Sequence, residues 1–277
     1  MEGRIIKNIS NDYTVSCNGE KCVCKPRGKF RSEKISPQVG DIVEFDEINH
    51  YILNILPRKN SLVRPPVANI DQAVIVMSIA EPDFSANLLD KLLSIIHFHG
   101  IKSIICFTKL DLLTETEKEE KLNFIKYYKE IGYSVYTNQN IDELKPIFDN
   151  KVTVFTGQSG AGKSTLLNLL DEHLDLKTDE ISKALGRGKH TTRHVELLEI
   201  ESGLIADTPG FSSVDFNDMT PLDIRDSFLE FRSYQVNCKY QDCMHDKEDA
   251  CAIKPLVGDK ILASRYDNYL KFIRKER

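Results

Sequence analysis

No apolar run in this chain of 277 residues approaches the about 20 residues that a membrane-spanning helix needs. The longest, 73–80, has the length of a strand. The opening residues, MEGRIIKNIS, lack the long apolar core of a secretory signal. A cytoplasmic location without membrane contact is therefore expected. Positive charge is not in excess: the net charge is −5, so any contact with nucleic acid must use local patches. Neither an internal repeat nor a low-complexity segment occurs, so nothing points to a repeat array. Disulfides are not expected either, because a reducing compartment keeps thiols free. Of the seven cysteines, Cys17, Cys22, Cys24 and Cys106 lie early or alone. Cys238, Cys243 and Cys251 cluster late, and clustered cysteines in a reduced protein suggest metal. What is present is an ordinary globular composition, 41% hydrophobic and 29% charged, in a chain long enough for about two domains.

The chain divides by pattern. Over 1–60, the segments RIIKNIS, YTVSC, KCVCK, DIVEF and YILNIL are separated by Asn-Asp, Asn-Gly, Pro-Arg-Gly and Pro-Gln-Val-Gly turn signals. Closely spaced short strands predict a small barrel, and their number fits a five-stranded oligonucleotide-binding (OB-type) barrel. Arg64-Pro65-Pro66 reads as a stiff linker. From Asn69, buried strands (DQAVIVMSIA, IKSIICF, VTVFTG) alternate with helical segments at 85–98, 114–131 and 141–148. HVELLEI and GLIADT add two more strands, and the alternation predicts a parallel sheet covered by helices. After about Phe216 comes a helix opened by Pro221, the cysteine cluster, and a helix over 261–277. The expected fold class is multidomain: an OB-type barrel at 1–63, an α/β P-loop domain at 68–216 and a helical metal-binding domain at 217–277.

The α/β region carries the chemistry. Gly157-Gln158-Ser159-Gly160-Ala161-Gly162-Lys163-Ser164 fills the G-x-x-x-x-G-K-S pattern. Glycines let the backbone N–H groups curl around a phosphate, and the following helix N-terminus favours the anion. Lys163 puts a cation on the β- and γ-phosphates, Ser164 offers a hydroxyl to Mg²⁺, and Thr165 completes the nucleotide-contacting set. This loop alone does not choose between ATP and GTP. Thr108-Lys109-Leu110-Asp111, at the end of the strand IKSIICF, resembles an N-K-x-D guanine motif. Asp111 would accept from guanine N1–H and its 2-amino group. Adenine lacks that donor pair, and the buried carboxylate would go unpaired. Lys109 would lay its stem over the base. Thr108 replaces the usual Asn and loses an amide, so the neighbourhood of the base is expected to be held less firmly.

Two further segments fit a γ-phosphate switch. Asp207-Thr-Pro-Gly210 ends the strand GLIADT, placing Asp207 near Mg²⁺ and the Gly210 N–H on the γ-phosphate. Upstream lies the basic, glycine-rich GRGKHTTRH, whose Thr191 or Thr192 could bind Mg²⁺ only with the triphosphate present. Phe211 stands where a Ras-like enzyme has the glutamine that orients water. Phenylalanine cannot do so, which makes His190 the candidate and His194 its rival. Near the end, Cys238-x4-Cys243-x-His245-x5-Cys251 supplies three thiolates and an imidazole, a closed tetrahedral set suited to one structural Zn²⁺. Cys17 and Cys22-x-Cys24 read as barrel residues.

In linear order the base motif precedes the phosphate loop and both switches, whereas Ras-like chains place it last. That permuted order, together with the basic barrel loop CKPRGKFR, TKLD, GQSGAGKS, GRGKHTT, DTPGF and the cysteine cluster, resembles the RsgA (YjeQ) family, the ribosome small-subunit-dependent GTPases. The resemblance covers nearly the whole chain. It implies binding of GTP and GDP, and binding to the small (30S) ribosomal subunit and its rRNA late in assembly, as a monomer. It further implies GTP hydrolysis stimulated by the subunit and followed by release, with His190 acting on water. The loop 21–34, with Lys21, Lys25, Arg27, Lys29, Arg31 and Lys34 around Phe30, could contact RNA phosphates and stack on a base. Two rivals stand beside this reading. A transporter-type ATPase would leave K-x-D unexplained and would need an L-S-G-G-Q stretch, which is absent. An RNA-binding switch that only exchanges nucleotide is kept open by Phe211.

Overall fold

The computed structural model describes residues 1–32, 35–63, 66–171, 195–200, 203–207 and 215–275, with no side chain described for Arg31, Val63 or Asp207. The chain forms two compact units. One holds 1–74, 139–156 and 162–213, and the other holds 75–138, 157–161 and 214–277.

The first unit begins with the five expected strands, β1 (Glu2–Ile9), β2 (Asp12–Cys17), β3 (Glu20–Pro26), β4 (Ile42–Asp46) and β5 (Tyr51–Ile55). A one-turn helix, α1 (Lys29–Ser32), follows β3. Pairing runs β1-β2-β3-β5-β4, and β4 returns to pair β1, which closes the barrel. Alternation puts Ile5, Val15, Cys24, Val43 and Ile52 inside. A bulge at Ile6 interrupts the β1–β2 register, so Ile5 and Ile6 are both buried. The segment read as a stiff linker is flanked instead by a small antiparallel pair, β6 (Ser61–Val63) and β7 (Pro66–Ala68). Proline is tolerated there as the first residue of a strand.

The same unit contains β11 (Val152–Gly157), which straddles the division, β12 (Glu196–Ile200) and β13 (Gly203–Asp207). β13 runs parallel to β11 but antiparallel to β12. The expectation of an all-parallel sheet fails at β12, because only two residues separate it from β13 and so short a link permits only an antiparallel pair. β12 also pairs with β1, at Lys7 and Glu196, where a 2.6 Å ion pair joins the same two residues.

In the second unit, β8 (Gln72–Ser78), whose first residues belong to the other unit, neighbours β9 (Lys102–Thr108), and β10 (Ser134–Thr137) extends β9 in parallel. β8 is buried along its whole length, as a central strand covered on both faces requires. Helix α2 (Ala86–Phe98) is capped by Ser85, and α3 (Glu115–Glu130) by a Thr114–Glu117 capping box. Further elements of the chain are α4 (Ile141–Leu144), α5 (Lys163–Leu170), α6 (Pro221–Asp226), α7 (Leu229–Gln235) and α8 (Ala263–Arg274). The last helix begins at Ala263 rather than 261. No helix among the described residues is long and apolar enough to cross a membrane.

A buried charge knot ties α2, α3, α7 and α8. Arg265 is 1% exposed and donates to Asp90 and, through two nitrogens, to Glu230. Asp90 also accepts from Tyr128 Oη at 2.6 Å and Asn268 Nδ2 at 2.8 Å. Burial pushes the Asp90 carboxyl up, and these donors oppose that. Around the knot, Ile95, Ile224, Phe228, Phe231, Ile261 and Phe272 form one apolar cluster. Removing one partner of such a set strands the others in an apolar medium. Arg265→Ala should therefore lower stability by about 3–5 kcal/mol in chemical denaturation; a change within the error of the method would show that the knot is solvated.

Candidate functional site

Gly157 fixes the start of the phosphate loop. Its φ is +127°, and a Cβ there would sit 2.0 Å from the Val76 carbonyl oxygen, so only glycine fits. The next N–H, of Gln158, donates to that carbonyl at 3.2 Å. Gln158 Nε2 donates to the Asp83 carbonyl at 2.6 Å. The loop turns back when Ala161 N donates to Gln158 O at 3.2 Å. Ser159 and Gly160 are exposed at the tip. Gly162, at φ +85°, is the residue before α5, and its carbonyl accepts from Leu166 N at 2.9 Å. Lys163 and Ser164 thus open a helix, with Thr165 exposed behind them. These three belong to the first compact unit, whereas 157–161 belong to the second. Burial holds the Lys163 ammonium below its ordinary pKa, so an anion beside it would be strongly stabilised.

The base motif meets the loop directly. Thr108 is buried, and its hydroxyl donates to the Ala161 carbonyl at 2.7 Å, with the Met77 carbonyl farther away at 3.4 Å. The expectation that Thr108 leaves this neighbourhood loosely held is corrected: the hydroxyl is short enough to reach the loop and carries the one donor the contact needs. Lys109 follows in the left-handed region at φ +62°, and its Nζ donates to the Glu81 carbonyl. Asp111 lies on the short 3₁₀ turn Leu110–Leu112 and is exposed. Its carboxylate is therefore open to a ligand and is not a buried group before one arrives.

The sequence reading missed the segment 81–83. Its carbonyls receive Lys109 and Gln158, and Ser78 Oγ donates to Glu81 O at 2.8 Å. Backbone acceptors leave no side-chain signature, and only the Pro82-Asp83 turn signal marked the place. His190, its rival His194, Thr191, Thr192, Gly210 and Phe211 lie outside the described residues, and Asp207 is described only as the last backbone position of β13.

The ligand atoms of Cys238, Cys243, His245 and Cys251 lie within 4.8 Å of one another. His245 Nδ1 is 3.7 Å from Cys238 Sγ and 3.4 Å from Cys251 Sγ. A tetrahedral zinc ion holds its sulfur and nitrogen ligands about 3.5 Å apart, so the donor set fits it. His245 is fully buried, with φ +56°, and its Nε2 has no hydrogen-bond partner among the described residues. Its carbonyl accepts from Tyr266 Oη, and the ring packs edge-on against Phe231 at 5.3 Å. Burial, then Arg225, lowers its pKa to about 4, keeping the imidazole neutral and fit to ligate. Burial pushes the Cys243 thiol up to about 12, so a thiolate there needs a cation beside it. All four donors are protein atoms, so an ion held by them would have no open position.

A G-x-x-x-x-G-K-S loop between strand and helix, tied through Thr108 to a K-x-D turn that precedes it in the chain, defines a P-loop nucleotide-binding protein of permuted order. The chain belongs to the RsgA GTPase family: the RsgA GTPase model matches residues 55–217 and the RsgA N-terminal domain model residues 2–51. It is 51% identical to the small ribosomal subunit biogenesis GTPase RsgA 2 of Oceanobacillus iheyensis, over 99% of this chain and 97% of that one. It is 47% identical to the corresponding RsgA of Enterococcus faecalis, over 99% and 94%. Among solved structures, YloQ, a circularly permuted GTPase, matches with a TM-score of 0.84 at 38% identity, over 99% of this chain and 94% of that one. YjeQ from Thermotoga maritima matches with a TM-score of 0.86 at 33% identity, over 99% and 98%. The chain is thus a GTP-hydrolysing enzyme of permuted motif order.

Two outcomes follow from the geometry. Thr108→Val leaves the buried Ala161 carbonyl without its donor, at a cost of about 1–3 kcal/mol, and should weaken GDP binding by at least roughly fivefold in a titration, with Thr108→Ser restoring it. Metal analysis should find one zinc per chain, and Cys243→Ser should lose the metal and fall in thermal stability.

Proposed function

We infer that this chain is a GTP hydrolase acting in biogenesis of the small (30S) ribosomal subunit, binding that subunit and its rRNA. Hydrolysis is stimulated by the subunit and coupled to release. The observation that carries the reading is the hydrogen bond from Thr108 to the Ala161 carbonyl, which brings the base motif beside the phosphate loop and so supports one nucleotide site built from both. Its support in sequence is the 51% identity to a small ribosomal subunit biogenesis GTPase.

The roles follow from chemistry. Asp111 selects guanine by accepting two hydrogen bonds from its edge, and Lys109 lies along the base. Backbone N–H groups of 157–162 surround the phosphates, and Lys163 neutralises their charge. Ser164, with Thr191 or Thr192 and Asp207, holds the Mg²⁺ that accompanies GTP and supplies charge neutralisation at the γ-phosphate. The Gly210 N–H senses that phosphate, and His190 positions the attacking water. Cys238, Cys243, His245 and Cys251 hold a structural zinc. We assign RNA contact to the barrel, 1–63, catalysis to 68–216 and zinc binding to 217–277, in a monomeric cytoplasmic protein.

Phosphate release from GTP, with and without added small subunits, tests this. Excess ATP should leave the rate unchanged. His190→Ala should bind GTP normally yet lose roughly a hundredfold of the stimulated rate. Equal stimulated rates would remove His190 from its role, and ATP competition would remove Asp111 from its own.

A further inference from the structure

Three side chains in the barrel have no part in the nucleotide site, the zinc-type set or the charges assigned to RNA contact. Cys22 and Cys24 are two apart on β3, so both point to the same face, with Sγ atoms 3.6 Å apart. Cys22 Sγ is also 3.1 Å from Nδ1 of His50, in the turn between β4 and β5. His50 is exposed at φ +57°, and its carbonyl, which accepts from Lys25 N at 2.9 Å, holds that turn against β3. Cys22 is partly exposed and Cys24 fully buried.

The contacts form a line, Cys24 to Cys22 to His50, and not a cluster about one point. Among the described residues, the one group of His, Cys, Asp or Glu ligands gathered to hold a metal is the C-terminal set. The Cys22–His50 separation is also shorter than the about 3.5 Å that a tetrahedral zinc ion imposes between sulfur and nitrogen. A thiol within hydrogen-bond reach of an imidazole, with a second thiol behind it, is instead the arrangement of an oxidisable dithiol.

We propose that Cys22, Cys24 and His50 form a peroxide-sensitive modification site, with Cys22 the attacking thiol, His50 its base and Cys24 the resolving thiol. The Cys22 proton passes to His50 Nδ1. The thiolate attacks one peroxide oxygen. An S–O bond forms, the O–O bond breaks, sulfur loses two electrons to the peroxide, and the departing hydroxide takes the proton from His50 as water. Cys24 Sγ then attacks the sulfenic sulfur. The S–S bond forms, the S–O bond breaks, and the leaving hydroxide takes the Cys24 proton as a second water. Roles are not interchangeable. Burial, then Cys22 and Asp46, push the Cys24 thiol up, so Cys24 keeps its proton until it attacks, while the imidazole stands beside Cys22 alone. Cα atoms two apart on a strand lie about 6.6–6.8 Å apart, at the upper end of the range a disulfide spans. The product is accordingly strained and easily reduced, which makes the modification reversible.

The test uses the full chain purified with zinc and exposed to one equivalent of hydrogen peroxide. Mass spectrometry of the peptide holding Cys22 and Cys24 should show the loss of two hydrogens, reversed by dithiothreitol. In Cys24→Ser, Cys22 should stop at the sulfenic acid and be trapped by dimedone. In His50→Gln, iodoacetamide should alkylate Cys22 roughly tenfold more slowly than in the wild type at neutral pH. An unchanged peptide mass, an absence of dimedone on Cys22 in Cys24→Ser, or equal alkylation rates would each overturn the assignment.

Discussion

The site depends on how closely the phosphate loop is pressed against the end of β8. No side-chain atom fits between Gly157 and the Val76 carbonyl. With that gap closed, the Gln158 N–H reaches the same carbonyl, and Ala161 is brought to where the Thr108 hydroxyl can donate to it. The two motifs are far apart along the chain, yet one short bond joins them. A buried carbonyl and a buried hydroxyl each need a partner, so the bond is costly to break and fixes where β9 ends relative to the loop. Lys109, in its left-handed conformation, and Gln158 add further ties, to the carbonyls of the 81–83 segment.

A comparable economy holds the C-terminal helices. Arg265 reaches Asp90, far earlier in the chain, and Glu230 in one fully buried arrangement. Three buried charges are unfavourable singly, and donors from Tyr128 and Asn268 must satisfy the remaining lone pairs. The zinc-type donor set lies close to the same apolar cluster through Cys243 and Cys251. The C-terminal helices thus share an apolar cluster drawn mostly from their own residues and are held besides at two places, by buried charge and by a ligand set shaped for a metal.

Much of this was legible in the sequence where physics is local. Turn signals and alternation marked the five barrel strands, Ser85 and Thr114 marked helix starts, and motif spacing located the phosphate loop and the cysteine cluster. What escaped was non-local or carried by the backbone. The direction of β12 follows from a two-residue link whose hydrophobic pattern looks the same either way. The Glu81 and Asp83 carbonyls have no side-chain signature. Thr108 looked like a loss because its partner, Ala161, is invisible from the tetrapeptide itself. Cys22 and Cys24 read as ordinary barrel residues because His50 comes beside them only when β5 pairs with β3.

The bulge at Ile6 has a consequence for how the chain can evolve. β1 is a rail shared by β2, β4 and β12, and the extra residue resets its alternation partway along. It lets Ile5 fill the barrel while Lys7, two positions on, meets Glu196. Deleting or inserting one residue in this strand would turn one half of it inside out whichever way it re-paired. Length here is therefore fixed more tightly than identity: substitutions of similar character are tolerable, but an indel is not.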